Sequence, residues 1–291
     1  MMLTVFTPTY NRADLLPRVY KSLLRQRYTD FEWIIVDDGS TDATQQLAEQ
    51  WRAENKIAMR YYKQVNGGKH RAINKGVSEA KGVLFFITDS DDYLPENALA
   101  TVVNNYKMAK QKYAIAGVAG RRMFDDGSIV GSDNFSELIC SSLDIRYKHM
   151  VSGDLVEVFE TDILREFPFP EIDYEKFCPE ALVWNRIAQK HQLYFYNEAI
   201  YVTQYIAGGL TANSIKIRMN SPLASMLCYA ELASYQIPLT QKIRATINFW
   251  RFAFCSKISF YNKVQKVSFV FSILGLPLGF FTHLNDLKNC K

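Results

Sequence analysis

Through the first 110 residues of this chain, short apolar runs alternate with stretches whose apolar residues recur at helical spacing. No other feature restricts the fold as much. Residues 3–7, 31–36, 58–62 and 83–87 read as strands. Between them, Leu15, Leu16, Val19, Leu23 and Leu24 share one helical face, and a second helix runs from Ser40 or Thr41, either able to cap it, to about Arg52. A third opens at the turn Asn66-Gly67-Gly68-Lys69 and runs to about Ala80. Strands alternating with helices mean βαβ units, so the predicted class is α/β with a mostly parallel sheet and flanking helices.

The fourth run ends in a way that points to a site. Val83-Leu84-Phe85-Phe86-Ile87-Thr88 carries no charge and then gives way to Asp89-Ser90-Asp91-Asp92. Carboxylates crowded at one strand end repel each other unless a cation lies between them. Mg²⁺ takes only one or two protein carboxylates and completes its octahedron with phosphate and water. Ligands of open α/β sheets sit outside the carboxyl ends of the strands, where these acids fall. The first strand ends in Thr7-Pro8-Thr9-Tyr10-Asn11-Arg12 and the second in Asp37-Asp38-Gly39-Ser40, so parallel pairing brings all three ends to one edge. A carboxylate facing a uracil N–H or a ribose diol, with Tyr10 stacked on the base, would select a nucleotide. Asn66-Gly67-Gly68-Lys69 offers backbone amides and an ammonium for a pyrophosphate. Each piece also has a plain reading: a solvated acidic turn at Asp89–Asp92, a capped turn at Asp37-Asp38-Gly39, a surface aromatic at Tyr10. Their recurrence at successive strand–helix junctions favours the site.

Beyond the fourth strand, a helix is expected over 96–110, a strand at 114–119, a hairpin turn at Asp125-Asp126-Gly127-Ser128 and a strand at 155–159. A helix over 179–189 and two closing strands at 193–196 and 200–205 follow, with Gly208-Gly209 marking a tight or mobile loop. After Ser221-Pro222 everything reads as helical, which places a domain boundary near residue 215: a catalytic domain over 1–215, its halves meeting near 110, and a helical segment over 216–291.

Three stretches together resemble the family 2 glycosyltransferases of GT-A fold: Phe6-Thr7-Pro8-Thr9-Tyr10-Asn11, Ile34-Ile35-Val36-Asp37-Asp38-Gly39-Ser40-Thr41-Asp42 and Phe86-Ile87-Thr88-Asp89-Ser90-Asp91-Asp92. The likeness is strong to about residue 110 and looser to about 210. It implies a nucleoside-diphosphate-sugar donor (a UDP-sugar fits the site as read), a Mg²⁺ or Mn²⁺ ion, and transfer with inversion at the anomeric carbon. By position it implies Thr7, Tyr10 and Asp38, with Asp37, as the residues that hold base and ribose; with Asp89, and with Pro8, Arg12 and Lys69 as read from the residues themselves, these make up the candidate donor set. Asp91 would ligate the metal, and Asp89 would reach ribose or metal. The family carries Glu-Asp six residues before an Arg, and here Pro179-Glu180 stands at that distance from Arg186. Glu180 is therefore the expected base, with Asp173 or Glu175 as substitutes. A Glu after Pro in a first helical turn is also an ordinary helix-dipole acid. The loop at 205–211 would lie near the donor diphosphate, with Lys216 and Arg218 either phosphate contacts or solvated cations.

The charge distribution separates the C-terminal segment from the rest. The 291 residues carry 34 basic and 30 acidic side chains, and no Asp or Glu occurs over 232–285 while six Lys and Arg do. A net +4 gives no reason to expect nucleic acid. Ile243, Ile247, Trp250, Phe254, Ile258, Tyr261 and Val264 recur at three- or four-residue intervals, and 267–281 has no charge but is interrupted by Gly275, Pro277 and Gly279. That run falls short of the roughly 20 residues of a spanning helix. A segment lying on an anionic bilayer is expected, the alternative being a helical hairpin packed on the catalytic domain. The five cysteines lack metal or redox spacing, and the start lacks a basic region followed by a long apolar one, so a cytoplasmic protein peripheral to the inner membrane face is expected. The whole reads as an enzyme adding a sugar to a glycan acceptor, lipid-linked, in surface polysaccharide synthesis. The rivals are a sugar-1-phosphate nucleotidyltransferase, whose Gly-rich opening loop is missing here, and a non-catalytic nucleotide-sugar-binding module.

Overall fold

The computed structural model describes residues 1–131, 135–203 and 213–289. The chain divides into two compact units, Met1–Pro168 with Ile187–Gln204 and Phe169–Arg186 with Tyr205–Lys291. The glycine pair at 208–209 lies outside the described residues.

The first unit is built on one eight-stranded sheet. Its strands are β1 (Leu3–Thr9), β2 (Phe31–Asp37), β3 (Met59–Lys63), β4 (Leu84–Ile87), β5 (Gly117–Met123), β6 (Leu138–Cys140), β7 (Leu155–Glu160) and β8 (Leu193–Val202). They lie in the order β3-β2-β1-β4-β7-β5-β8-β6. The first four pair in parallel, as expected of βαβ units. β7 runs against both β4 and β5, so β5 points the same way as β4, and β8 is parallel to β5. The ends of β1, β2, β4, β5 and β8 therefore share one edge. β1 and β2 are buried along their whole length because helices cover both faces. These include α1 (Leu16–Leu24), α2 (Thr44–Glu54), α3 (Lys69–Glu79) and α4 (Ala98–Lys110); the short α5 (Ser142–Tyr147) and α6 (Thr161–Glu166) come later in this unit. Tyr20 stacks on Trp51 at 4.5 Å and Trp33 lies 6.0 and 5.8 Å from the two, tying α1 and α2 to β2. Such pairs add about 0.5–1.5 kcal/mol each beyond the area they bury.

Two local expectations change. The closing strands are a single strand, β8, which holds its pairing with β5 through register shifts beside Ala119, Arg121 and Arg122. Asn197 and Glu198 interrupt the apolar pattern at that irregularity, not at a turn. The helix after β2 has Ala43 at its N-cap position and no side-chain cap; Asp42 just before it forms a local turn, its Oδ1 accepting from Thr44 N at 3.1 Å. Ser40 is occupied elsewhere, its Oγ accepting from Asn11 N at 2.8 Å.

In the second unit, α8 (Ser214–Asn220), α9 (Pro222–Ser234), α10 (Leu239–Ala253), α11 (Phe260–Val264) and α12 (Phe269–Asn289) follow most of α7 (Glu180–Ala188). The sequence boundary near 215 is drawn along the chain. Ion pairs and caps explain why 169–186 joins the later helices. Glu175 accepts from Leu223 N and Ala224 N at the start of α9, and Arg186 forks onto Glu231 at 2.8 and 2.6 Å. The apolar run at 267–281 is not interrupted. α12 passes unbroken through Gly275, Pro277 and Gly279. A Cβ on Gly275 would meet Thr246 Cγ2 at 2.6 Å, and one on Gly279 would meet Trp250 Cβ at 2.6 Å. The glycines are thus close-packing positions against α10 and do not end the helix. Cys140, Cys178, Cys228 and Cys255 are free thiols, the first three buried.

α3 rests directly on β1, where a Cβ on Gly76 would overlap the Phe6 ring. Phe6 is fully buried and stacked on Phe85 at 5.1 Å, so it has little room to yield. Gly76→Ala should therefore destabilise the protein by about 1–3 kcal/mol despite its better helix propensity. Urea unfolding with an unchanged or raised midpoint would contradict this packing.

Candidate active site

At the shared strand edge, the first two loops are stitched together by their own side chains. Asn11, at φ +52°, accepts from Thr41 N at 2.8 Å, and Ala13 N donates to Asp42 at 3.0 Å. Tyr10 projects from this junction with its side chain 49% exposed, which leaves a ring face available for stacking. Arg12 is half-buried beside it. Pro8 is buried in β1, and Thr7 is fully buried with its hydroxyl accepting from Trp33 Nε1 at 2.9 Å.

Asp37 and Asp38 take different partners. Asp37 is fully buried and accepts from Ser40 N at 2.7 Å and Tyr61 OH at 2.5 Å. Asp38 accepts from Gly67 N at 2.9 Å and Gln64 Nε2 at 2.8 Å on one oxygen, and from Gly68 N at 2.7 Å and Asn66 Nδ2 at 3.2 Å on the other. Four donors match what a carboxylate can accept. This corrects one expectation from the sequence: the Gly67 and Gly68 amides face Asp38, so they do not cradle a phosphate. The reason is geometric. Gly68 at φ +98° and Gly39 at φ +88° let the two loops approach until a Cβ on Gly39 would stand 3.0 Å from Asn66 N. The Asp38 side chain lies buried in that junction.

Lys69 opens α3 and places its Nζ 2.6 Å from Asp89 Oδ1. Burial pushes the Asp89 carboxyl upward, but Lys69 and Arg122 outweigh it and hold the group below its ordinary value. Asp92 goes the other way. Burial and the nearby Asp89 charge push it up to about 6, against the pull of Arg122, whose guanidinium is 3.7 Å away. Two neighbouring acids are thereby driven apart in proton affinity, an arrangement common at functional sites. Asp91 is half-buried and has no hydrogen-bond or ion-pair partner among the described residues. No three His, Cys, Asp or Glu groups are placed to hold a metal among them. A hard cation that also binds substrate phosphates needs no such trio, so one open carboxylate at this edge fits it.

Four residues here were not singled out from the sequence. Arg122, on β5, lies 4.4 Å over the ring of Tyr201, and Tyr201, on β8, accepts from Asp89 N at 2.8 Å. Both come from the stretch where strand periodicity weakens, and only the sheet order brings them beside β4. Thr9 ends β1 and Thr88 directly follows β4, both with buried hydroxyls that have no partner among the described residues. Buried hydroxyls are seldom left so, and the signal that could have found them is their position at strand ends.

The second unit holds the remaining expected residues. Glu180 is half-buried at the first position of α7. Asp173 is exposed. Glu175, a substitute base by sequence, is buried and committed to the start of α9. Cys178 is buried, and burial pushes its thiol up to about 12. Arg218 lies over the rings of Phe177 and Tyr229 at 5.4 and 5.8 Å.

With this geometry in view, comparison with known proteins assigns the class. Residues 4–152 match the model of glycosyl transferase family 2, and the chain belongs to that family. It is a glycosyltransferase, and the nucleotidyltransferase reading falls. Over 203 residues the chain is 26% identical to the GalNAc(5)-diNAcBac-PP-undecaprenol beta-1,3-glucosyltransferase of Campylobacter jejuni, an alignment covering 67% of this chain and 62% of that one. In fold it is similar to TarS 1–349 of S. aureus in complex with UDP-GlcNAc, with a TM-score of 0.69 at 18% identity over 98% of this chain and 89% of the other. The mannosyltransferase PcManGT of Pyrobaculum calidifontis, in complex with GDP-Man and Mn²⁺, superposes with a TM-score of 0.60 at 18% identity, covering 98% of this chain and 87% of that one. The GT-A-type sheet and the C-terminal helices are common ground with such structures.

The two hydrogen bonds that Glu175 accepts from the Leu223 and Ala224 amides mark it as a structural acid. Glu175→Ala leaves two helix-start amides without their acceptor and should cost about 1–3 kcal/mol in chemical unfolding. Burial raises this carboxyl above its ordinary 4.5, against the two amides that lower it. A group raised in the folded state favours folding most when protonated, so wild-type stability should decline as pH climbs from about 4.5 into the raised range. The variant should lack that decline, making its deficit larger at acidic than at neutral pH. A deficit independent of pH would refute the assignment.

Proposed function

We propose that this glycosyltransferase moves one sugar from a nucleoside-diphosphate-sugar, a UDP-sugar, to a hydroxyl of a lipid-linked glycan acceptor, with inversion, in the synthesis of a surface polysaccharide. The observation that carries the donor half is the pairing at one sheet edge of an open carboxylate, Asp91, with the Lys69–Asp89 ion pair. Diphosphate chemistry calls for that mixture: a carboxylate for a cation, and an ammonium for phosphate oxygen. The half-exposed Tyr10 ring offers the base a stacking face, and Arg12 beside it a cationic neighbour. Thr9 and Thr88 offer hydroxyls to ligand or water. The nucleotide-sugar ligands of TarS and PcManGT support the donor class, and the undecaprenol-linked substrate named for the Campylobacter relative supports the acceptor class.

Asp91, with Asp89 beside it, would hold Mg²⁺ or Mn²⁺, and the ion would stabilise negative charge on the departing diphosphate. The Mn²⁺ named with PcManGT supports that choice. Glu180 is the proposed base. Of the three acids considered, Glu175 is committed to α9, while Glu180 keeps the six-residue spacing to Arg186. An inverting transfer needs one such group to take the acceptor's proton as its oxygen attacks the anomeric carbon.

Two substitutions test the assignment. Asp91→Asn should remove metal-dependent binding of UDP and of UDP-, GDP- or dTDP-sugars while leaving the unfolding midpoint in place; calorimetry giving wild-type donor affinity would eliminate Asp91 as the metal residue. Glu180→Gln preserves shape and hydrogen bonding without basicity, so donor binding should persist while kcat drops by at least about 10²-fold. A near-normal kcat would transfer the role to Asp173.

A further inference from the structure

Over residues 269–284, α12 turns most of its large apolar side chains outward and fully buries only small or polar residues, the reverse of a water-facing surface helix, while Leu276 and Phe280 supply its apolar contacts to its own unit. Its buried residues are Ser272, Gly275, Gly279 and Asp286. Phe269, Val270, Ile273, Leu274, Leu278 and Phe281 are exposed, by 71, 68, 62, 55, 46 and 67%. At 3.6 residues per turn these six cover roughly half the circumference. The inward side is fully engaged with α10. Trp250 Nε1 donates to Ser272 Oγ at 3.1 Å, Arg251 pairs with Asp286, and both glycines admit α10 to close contact. A helix that satisfies its polar groups inward and packs through small residues has a surface suited to lipid.

Charge identifies the lipid. No acid occurs over 232–285, while six basic residues do. Lys257 and Lys266 are exposed in the stretch that leads into α12, and between them in sequence lie Phe260 and Tyr261, which are 60 and 70% exposed. Exposed aromatic rings and cations in the stretch that precedes an exposed apolar helix face match the interfacial layer of an anionic membrane.

The helix neighbouring α12 decides its orientation. α12 is long and apolar enough to cross a bilayer, with 21 residues and mean hydropathy 1.2. However, Thr246 of α10 touches Gly275 in mid-helix, and the exposed Arg244 sits two positions away, on the opposite side of α10. A spanning α12 would draw Arg244 toward the acyl layer; a helix lying flat keeps α10 on the water side. We propose that α12 is an in-plane membrane anchor whose exposed arc enters the acyl layer of an anionic phospholipid bilayer, with Lys257 and Lys266 at its phosphates. This deepens the proposed transfer to a lipid-linked acceptor at the inner membrane face. It is argued from the second unit alone, and vesicles free of donor and acceptor test it separately.

The test is flotation of the full chain with phosphatidylglycerol-rich vesicles at low salt, using a protease-cleavable tag at the C-terminus. Wild type should float and its tag should remain cleavable from outside. Ile273→Glu with Phe281→Glu, both at exposed positions, should lower partitioning about tenfold or more with an unchanged circular dichroism spectrum. Lys257→Ser with Lys266→Ser should weaken binding to these vesicles and flatten its salt dependence. Wild type that stays out of the vesicles, or a double Glu variant that floats as well as wild type, overturns the proposal. So does a protected tag, which would mean that α12 crosses. A lipid-independent dimer that the Glu variant dissolves, from protein that does not float, would assign the face to a second copy and equally overturn it.

Discussion

The Asp38 carboxylate, buried between two loops and accepting from Gly67, Gly68, Gln64 and Asn66, is the interaction on which the candidate donor site depends. A charged acceptor with four donors inside a protein is strong, and removing it would strand two backbone amides. It fixes the start of α3, and with it Lys69. Lys69 in turn reaches Asp89 across the strand edge. Asp38 thus couples the loops after β2 and β3, Asn11 and Asp42 join the loop after β1 to the loop after β2, and Lys69 extends the series of polar contacts to the end of β4.

That coupling bears on how three acids coexist in four residues. Asp89 is held charged by Lys69 and Arg122, Asp92 is buried and pushed toward the protonated form, and Asp91 stays open. Different surroundings give the three carboxylates different chemistry, which is how a single fold places a ligand-ready acid next to structural ones. Arg122 and Tyr201 are essential to this division. They reach it from β5 and β8, strands that follow β4 by many residues in sequence.

The second unit follows another logic. Its interior holds glycines, a Ser–Trp hydrogen bond and an Arg–Asp pair, while its last helix turns phenylalanines and leucines outward. In water such an arrangement leaves apolar area uncovered, and the helix is held by close backbone approach and polar bonds with α10, together with the apolar contacts of Leu276 and Phe280. The two units therefore divide their apolar residues differently: β1 and β2 bury theirs completely, and α12 presents its own.

The sequence by itself determined the parallel strand–helix alternation through α4, the collection of strand ends Tyr10, Asp38 and Asp89 at one edge, and the family that these motifs resemble. It could do so because strand and helix periodicities are local and because parallel pairing alone brings such ends together. The acid-free C-terminal stretch was equally legible from composition. Only the tertiary structure decided which acids are free. Asp38 and Glu175 look like candidate ligands or bases in sequence, and both are consumed by backbone amides from residues about thirty and fifty positions away. It also decided that Gly275 and Gly279 are contact points where the sequence read interruptions, and that the two closing strands are one. Whether a carboxylate is spent, a glycine is crowded or a strand continues depends on what packs beside it, and pairings so distant along the chain leave no periodic trace in the sequence.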